Sequence, residues 1–147
     1  MGIEPYLISS TVVAVMAQRL LRVICPGCKT IETPPPELLS TCSHNLSTQA
    51  QTQYYRGLGC EQCLQTGYYG RTAIFEMLVI DDDIKELILK RSGSHIIREK
   101  AVEKGMSTLQ YDGLQKASAG QTSLEEVLRV TQDTLQSVTE VPEHVTA

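Results

Sequence analysis

Cys25-Pro-Gly-Cys28 and Cys60-Glu-Gln-Cys63 are two CxxC pairs separated by residues 29 to 59. Each pair presents two thiolates from one tight turn, and two such knuckles suit a tetrahedral ion, zinc above all. Gly27, Gly57 and Gly59 stand beside them, where glycine permits the backbone angles that knuckle turns need. One structural zinc site held by Cys25, Cys28, Cys60 and Cys63 is expected, with metal binding coupled to folding of the excursion between the pairs.

Other chemistries of cysteine fit less well. A disulfide framework belongs to small secreted chains, whereas this sequence shows no signal peptide, an odd number of cysteines and enough length to bury a core without staples. A dithiol redox centre needs only one CxxC in a thioredoxin-like strand–helix context. An iron–sulfur cluster would use the same four ligands and stays open, although the two-plus-two spacing favours zinc. Cys42 and His44 fall in a Ser/Thr/Gln/Pro-rich stretch between the knuckles and are left out of the site.

Composition adds a mild asymmetry. Net charge is −4 over 147 residues, with the segment from 17 to 71 slightly basic and the remainder acidic. Arg22, Lys29, Arg56 and Arg71, with Tyr54, Tyr55, Tyr68 and Tyr69, could in principle form a nucleic-acid surface. A four-thiolate zinc site is itself dianionic, so balancing that charge is the favoured account of the basic residues, and no nucleic-acid partner is expected. The most apolar run, Leu7 to Ala17, is too short and too interrupted by hydroxyls to span a bilayer.

Working outward from the knuckles, the pattern predicts a helix from Glu4 to about Met16 with Pro5 in its first turn, then a strand from Ala17 to Ile24. Three prolines from Pro34 to Pro36 open a loop that holds only a short helix, Pro36 to Ser40. Arg71 to Ile80 reads as a buried strand, and the two strands flanking the excursion are candidate neighbours. Asp81 caps a helix ended by Gly93; Ser94 opens a second, ended by Gly105; a third runs from Ser107 to Gly120. Ser123-Leu-Glu-Glu126 matches a capping box ahead of Val127, Leu128 and Val130, and the polar tail after Thr131 is expected to fray.

No catalytic constellation accompanies these elements. The sequence contains no GxxxxGK[ST] loop, HExxH helix or GxSxG elbow, and His44, His95 and His144 are scattered. Glu125 and Glu126, like Asp81 to Asp83, are read as helix N-terminal, solvated carboxylates. The residues by themselves describe a zinc-stabilised α/β module.

Three stretches carry a resemblance further. MGIEPYLISSTVVAVMAQRLLRVICPGCK, YRGLGCEQCLQTGYYGRTAIFEMLVIDDDIKELI and IREKAVEKGMSTLQYDGLQKASAGQTSLEEVLRVT, in that order, closely resemble the C-terminal part of the type II secretion traffic ATPases, with type IV pilus assembly ATPases close behind. The resemblance implies a cytoplasmic homo-hexameric motor, peripheral to the bacterial inner membrane, that hydrolyses ATP and drives pilus or pseudopilus assembly against inner-membrane platform proteins. It implies an α/β fold in which residues 1–24 and 71–80 edge a RecA-like core. The excursion 25–70 would be the four-cysteine zinc subdomain, 81–131 a C-terminal helical subdomain and 132–147 a flexible tail. Cys25, Cys28, Cys60 and Cys63 match that family's zinc ligands.

The family's phosphate loop, acidic motifs and catalytic histidine region lie upstream of anything matched here. The chain alone is therefore expected to hold neither ATP nor magnesium and to catalyse nothing; both would belong to the complete motor. Neither Arg19 nor Arg71 is assigned a catalytic role. Two readings follow: the carboxyl end of a secretion ATPase, or a free-standing zinc module that binds motor subunits or the platform. On the first, the isolated chain should expose apolar area around Leu7, Val12 and Leu20 and associate.

Overall fold

The computed structural model describes residues 4–38 and 53–136, and side chains through residue 131. Cys42 and His44, and the tail beyond Gln136, lie outside the described residues. The architecture is mixed α/β: small sheets with helices packed on them, arranged in two compact units.

Of the described residues, the first unit takes 4–16, 77–107 and 132–136. Helix α1, Pro5–Thr11, begins with proline at its first position but ends five residues before the expected Met16. The hydroxyls of Ser9, Ser10 and Thr11 donate back to the carbonyls of Tyr6 and Leu7, and the β-branched pair Val12-Val13 then favours extended chain. Strand β1, Ala14–Ile24, therefore starts earlier than the periodicity predicted. Helix α2, Asp82–Leu89, is capped as expected, with Asp81 Oδ1 accepting from the Ile84 N–H at 3.1 Å. Its C-terminal turn is made by Arg91 at φ +54° rather than by Gly93, which is instead the N-cap of α3, Ser94–Glu103. Ile80, Ile84 and Ala101 form this unit's core, with Val12, Leu78, Leu87, Ile88, Ile97 and Met106 packed around them.

The second unit takes residues 17–76 and 108–131 and contains both knuckles. Between them lies a short antiparallel pair that the sequence reading did not anticipate, β2, Lys29–Glu32, against β3, Tyr54–Gly57, in the register Lys29↔Gly57 to Glu32↔Tyr54. Residues 36–38 are helical. Strand β4, Tyr68–Val79, pairs with β1, so the strands flanking the excursion are neighbours. Helices α4, Leu109–Ser118, and α5, Leu124–Gln136, supply most of the core: Leu109, Leu114, Ala117, Leu124, Val127 and Leu128 bury Leu21, Ile74 and Tyr54.

Strand β4 is not the buried strand expected from Arg71 to Ile80. Within β4 only Ile74 is buried, with Ile80 buried just beyond its end, while Phe75, Met77 and Val79 are 42 %, 54 % and 54 % exposed. Every residue of β1 from Ala14 to Leu20 is exposed too, on both faces of the pleat. Among the described residues nothing covers these side chains. Leu7 and Leu20 are exposed as expected, whereas Val12 is half-buried in the first unit's core.

Candidate metal centre

The excursion leaves β1 at Cys25 and returns to β4 after Gly67, and the Cys25 N–H donates to the Gly67 carbonyl at 3.0 Å, closing the neck. Each knuckle is a tight turn in which the second cysteine's N–H donates to the first one's carbonyl: Cys28 to Cys25 at 3.3 Å, Cys63 to Cys60 at 3.2 Å. The angles are not met where the sequence suggested. Of Gly27, Gly57 and Gly59 only Gly59 has positive φ, and the left-handed turn after the second knuckle is carried by Leu64, Gln65 and Gly67. Gly57 serves a different need. A Cβ there would sit 2.0 Å from the Gly67 carbonyl oxygen, so glycine allows two backbones to touch at the base of the site.

These turns bring four sulfurs, 31 residues of chain apart in two pairs, to within 4.8 Å of one another. The Cys25–Cys60 and Cys28–Cys63 separations are 3.8 Å and Cys60–Cys63 is 3.7 Å. An ion with four thiolates at about 2.3 Å in tetrahedral array sets its sulfurs about 3.8 Å apart. Disulfides require about 2.05 Å, and all four cysteines are free. Sulfurs nearly in contact leave room for one ion rather than for a cluster with bridging sulfides. The residues present fit a single tetrahedral metal.

Backbone amides prepare the sulfurs unequally. Cys63 Sγ accepts from the N–H groups of Cys60 and Gly67, both at 3.2 Å, and Cys28 Sγ accepts from Gly59 at 3.3 Å. Burial opposes ionisation at Cys63, yet these two amides outweigh it and bring its pKa down to about 6. At Cys28 burial prevails, lifting the thiol to about 11, and burial raises Cys25 as well. A dication at the centre would favour the thiolate form at all four.

Around the site the basic and aromatic residues are paired internally. Arg22 lies over the Tyr68 ring at 4.1 Å and Lys29 over Tyr55 at 4.3 Å, Arg56 is 3.7 Å from Glu32, and Tyr54 is in the core. Arg19 and Arg71 are exposed on the strands.

Glu126 is the residue that sequence reasoning missed. Read as a solvated helix-cap carboxylate, its side chain is instead fully buried. Only the Ser123 half of the capping box forms, Ser123 Oγ accepting from the Glu126 N–H at 3.2 Å. The carboxylate takes the Arg22 N–H at 3.1 Å, the Arg22 guanidinium at 2.6 Å and two bonds from Arg129 at 2.8 Å. The one signal in the sequence was Arg22, a charge interrupting an apolar strand, and its partner lies 104 positions away. Burial alone would raise the Glu126 pKa, but the bonds from Arg129 and Arg22 overcome that and hold it at about 2.

A depressed carboxylate stabilises the fold above its ordinary pKa of 4.5 and loses that contribution as pH falls toward 2. The stability difference between wild type and Glu126→Gln, read by denaturant titration, should be constant from pH 7 to 5 and shrink below 4.5. A difference independent of pH down to 2.5 would mean the carboxylate is not charged in the folded state.

The family model for type II/IV secretion system proteins matches residues 1–129. The type IV pilus assembly ATPase PilB of Thermus thermophilus is 45 % identical over 128 residues, covering 87 % of this chain and 14 % of that protein. Type II secretion system protein E of Aeromonas hydrophila is 44 % identical, and type II secretion system ATPase E of Vibrio cholerae 41 %; each covers 90 % of this chain and 26 % of the relative. The chain belongs to the type II/IV secretion system protein family, and it spans about a quarter or less of the length of these relatives. Among the described residues no helix is long and apolar enough to cross a membrane.

Proposed function

We propose that this chain is the carboxyl-terminal, zinc-carrying portion of a hexameric ATPase motor for type II secretion or type IV pilus assembly. The observation that carries the reading is the cluster of four sulfurs from Cys25, Cys28, Cys60 and Cys63 within a chain that the type II/IV secretion system protein family matches along residues 1–129. The ion is structural zinc: four protein thiolates fill its coordination sphere and leave no open position for substrate. Its chemical contribution is cross-linking, holding two turns that have little apolar core of their own.

Strands from residues 1–24 and 71–80 border a RecA-like core in the complete motor, 25–70 is the zinc subdomain, 81–131 the helical subdomain and 132–147 the tail. The bare apolar pleat of β1 and β4, with Val15, Met16, Leu20, Phe75 and Met77 exposed, supports a larger core covering it. ATP and magnesium are held by the remainder of that motor, which works in the cytoplasm, peripheral to the inner membrane, on platform proteins of the secretion machinery.

An immunoblot of source cells with antibody against residues 132–145 tests this. A band several-fold heavier than 16.2 kDa is expected. A band at 16.2 kDa alone would overturn the motor reading in favour of a free-standing zinc module that binds motor or platform proteins.

A further inference from the structure

The residues around the neck of the excursion are held from one place. Arg22, three positions before the first ligand, is gripped through its N–H and guanidinium by Glu126, and its carbonyl accepts from the Thr122 hydroxyl at 2.8 Å. The Ile24 N–H, immediately before Cys25, donates to the Gln121 carbonyl at 2.9 Å. On the returning side Tyr68, the residue after Gly67, shares a 2.6 Å hydrogen bond between its hydroxyl and Ser123 Oγ, and its ring lies under Arg22. Entry and exit of the metal loop are thus both fastened to residues 121 to 126, the link from α4 into α5. From inside the loop, Tyr54 enters the core made by Leu109, Leu114 and Leu124.

We propose that the metal centre and the α4–α5 helix pair are one cooperative device, in which Glu126 positions the first knuckle and metal occupancy in turn governs the docking of α5. This rests on the zinc reading above. A buried carboxylate is costly unless paired, and here the pairing fixes a backbone amide as well as a side chain. Glu126 therefore sets where β1 delivers Cys25, without touching the ion. Because binding linkage is reciprocal, whatever Glu126 contributes to holding the metal, the metal returns to holding Glu126 and its helix. Loss of the ion frees Cys25, slackens the Arg22 and Tyr68 fastenings and unloads Tyr54 from the helices. A merely local staple would leave α5 untouched.

Zinc stoichiometry of the full chain is measured first, then peptide-resolved hydrogen exchange with and without a chelator. Chelation should raise exchange at least about tenfold in peptides spanning residues 109–131, as well as in the loop. Competition against a chromogenic chelator should show Glu126→Gln holding zinc about tenfold more weakly, the low end of what loss of an outer partner costs. The surface control Lys90→Ala should hold it as wild type does. Faster exchange confined to residues 25–67, or unchanged zinc affinity in a folded Glu126→Gln, overturns the coupling while leaving the zinc reading intact. If Glu126→Gln does not fold, the wild-type exchange data decide. A chain that takes up no zinc overturns both.

Discussion

Cys25→Ser and Cys60→Ser should each bind far less than one equivalent of zinc and lose ordered structure in residues 25–38 and 53–70. Serine offers no anion at neutral pH, so three thiolates are left to hold the ion and the two knuckles are no longer joined. Structural zinc contributes roughly 10 to 16 kcal/mol in small metal-dependent folds. Whole domains are stable by only about 5 to 15 kcal/mol, so losing even part of the metal's contribution is decisive for a loop whose core is borrowed from α4 and α5. Elemental analysis of the purified chain should give one zinc and no iron. A full equivalent retained in both variants would sink the ligand assignment. Chelation of wild type should reproduce the same loss of structure, separating removal of the ion from any local effect of serine.

Gly57→Ala is the second large effect, and it comes from space rather than from backbone angle. The added carbon would lie 2.0, 2.6 and 2.7 Å from the O, C and Cα of Gly67, all main-chain atoms that cannot swing aside. Gly67 also accepts from Cys25 and donates to Cys63 Sγ, so moving it displaces one cysteine from each knuckle. Overpacking costs about 1 to 3 kcal/mol where side chains can adjust, and here the cost should reach or pass the upper end. Gly70→Ala is the matched comparison. Its Cβ meets nothing within 4 Å, so only its φ of +84° opposes the change, at about 1 kcal/mol. Denaturant titration of both zinc-loaded variants should separate them clearly. Equal destabilisation would mean that the close approach of Gly57 and Gly67 does not matter.

The apolar strands bear on the wider reading in the same physical terms. A two-stranded sheet is marginal by itself, and β1 exposes valine, methionine and leucine on a pleat with no cover among the described residues. The relatives are roughly four to seven times the length of the matched stretch, as the shares of 26 % and 14 % imply. An apolar strand is costly in water unless other protein surface covers it.

What the sequence by itself determined is what depends on neighbours along the chain. The cluster of four cysteines follows from CxxC spacing, the Asp81 cap from one side chain and the amide three residues on, and the stop of α3 from Gly105 at φ +97°. The helices after Asp81 were legible because their signals repeat within a few residues. Tertiary structure decided what depends on partners far away. The pairing of β2 with β3 spans the interval between knuckles, in stretches too short and polar for a strand pattern. Tyr54 reads as a surface aromatic until α4 and α5 close over it. Glu126 reads as a cap until Arg22, 104 positions earlier, pairs with its buried carboxylate. A local signal fixes which chemical groups the chain carries, but burial and charge pairing are properties of groups brought together, and only the folded chain brings these together.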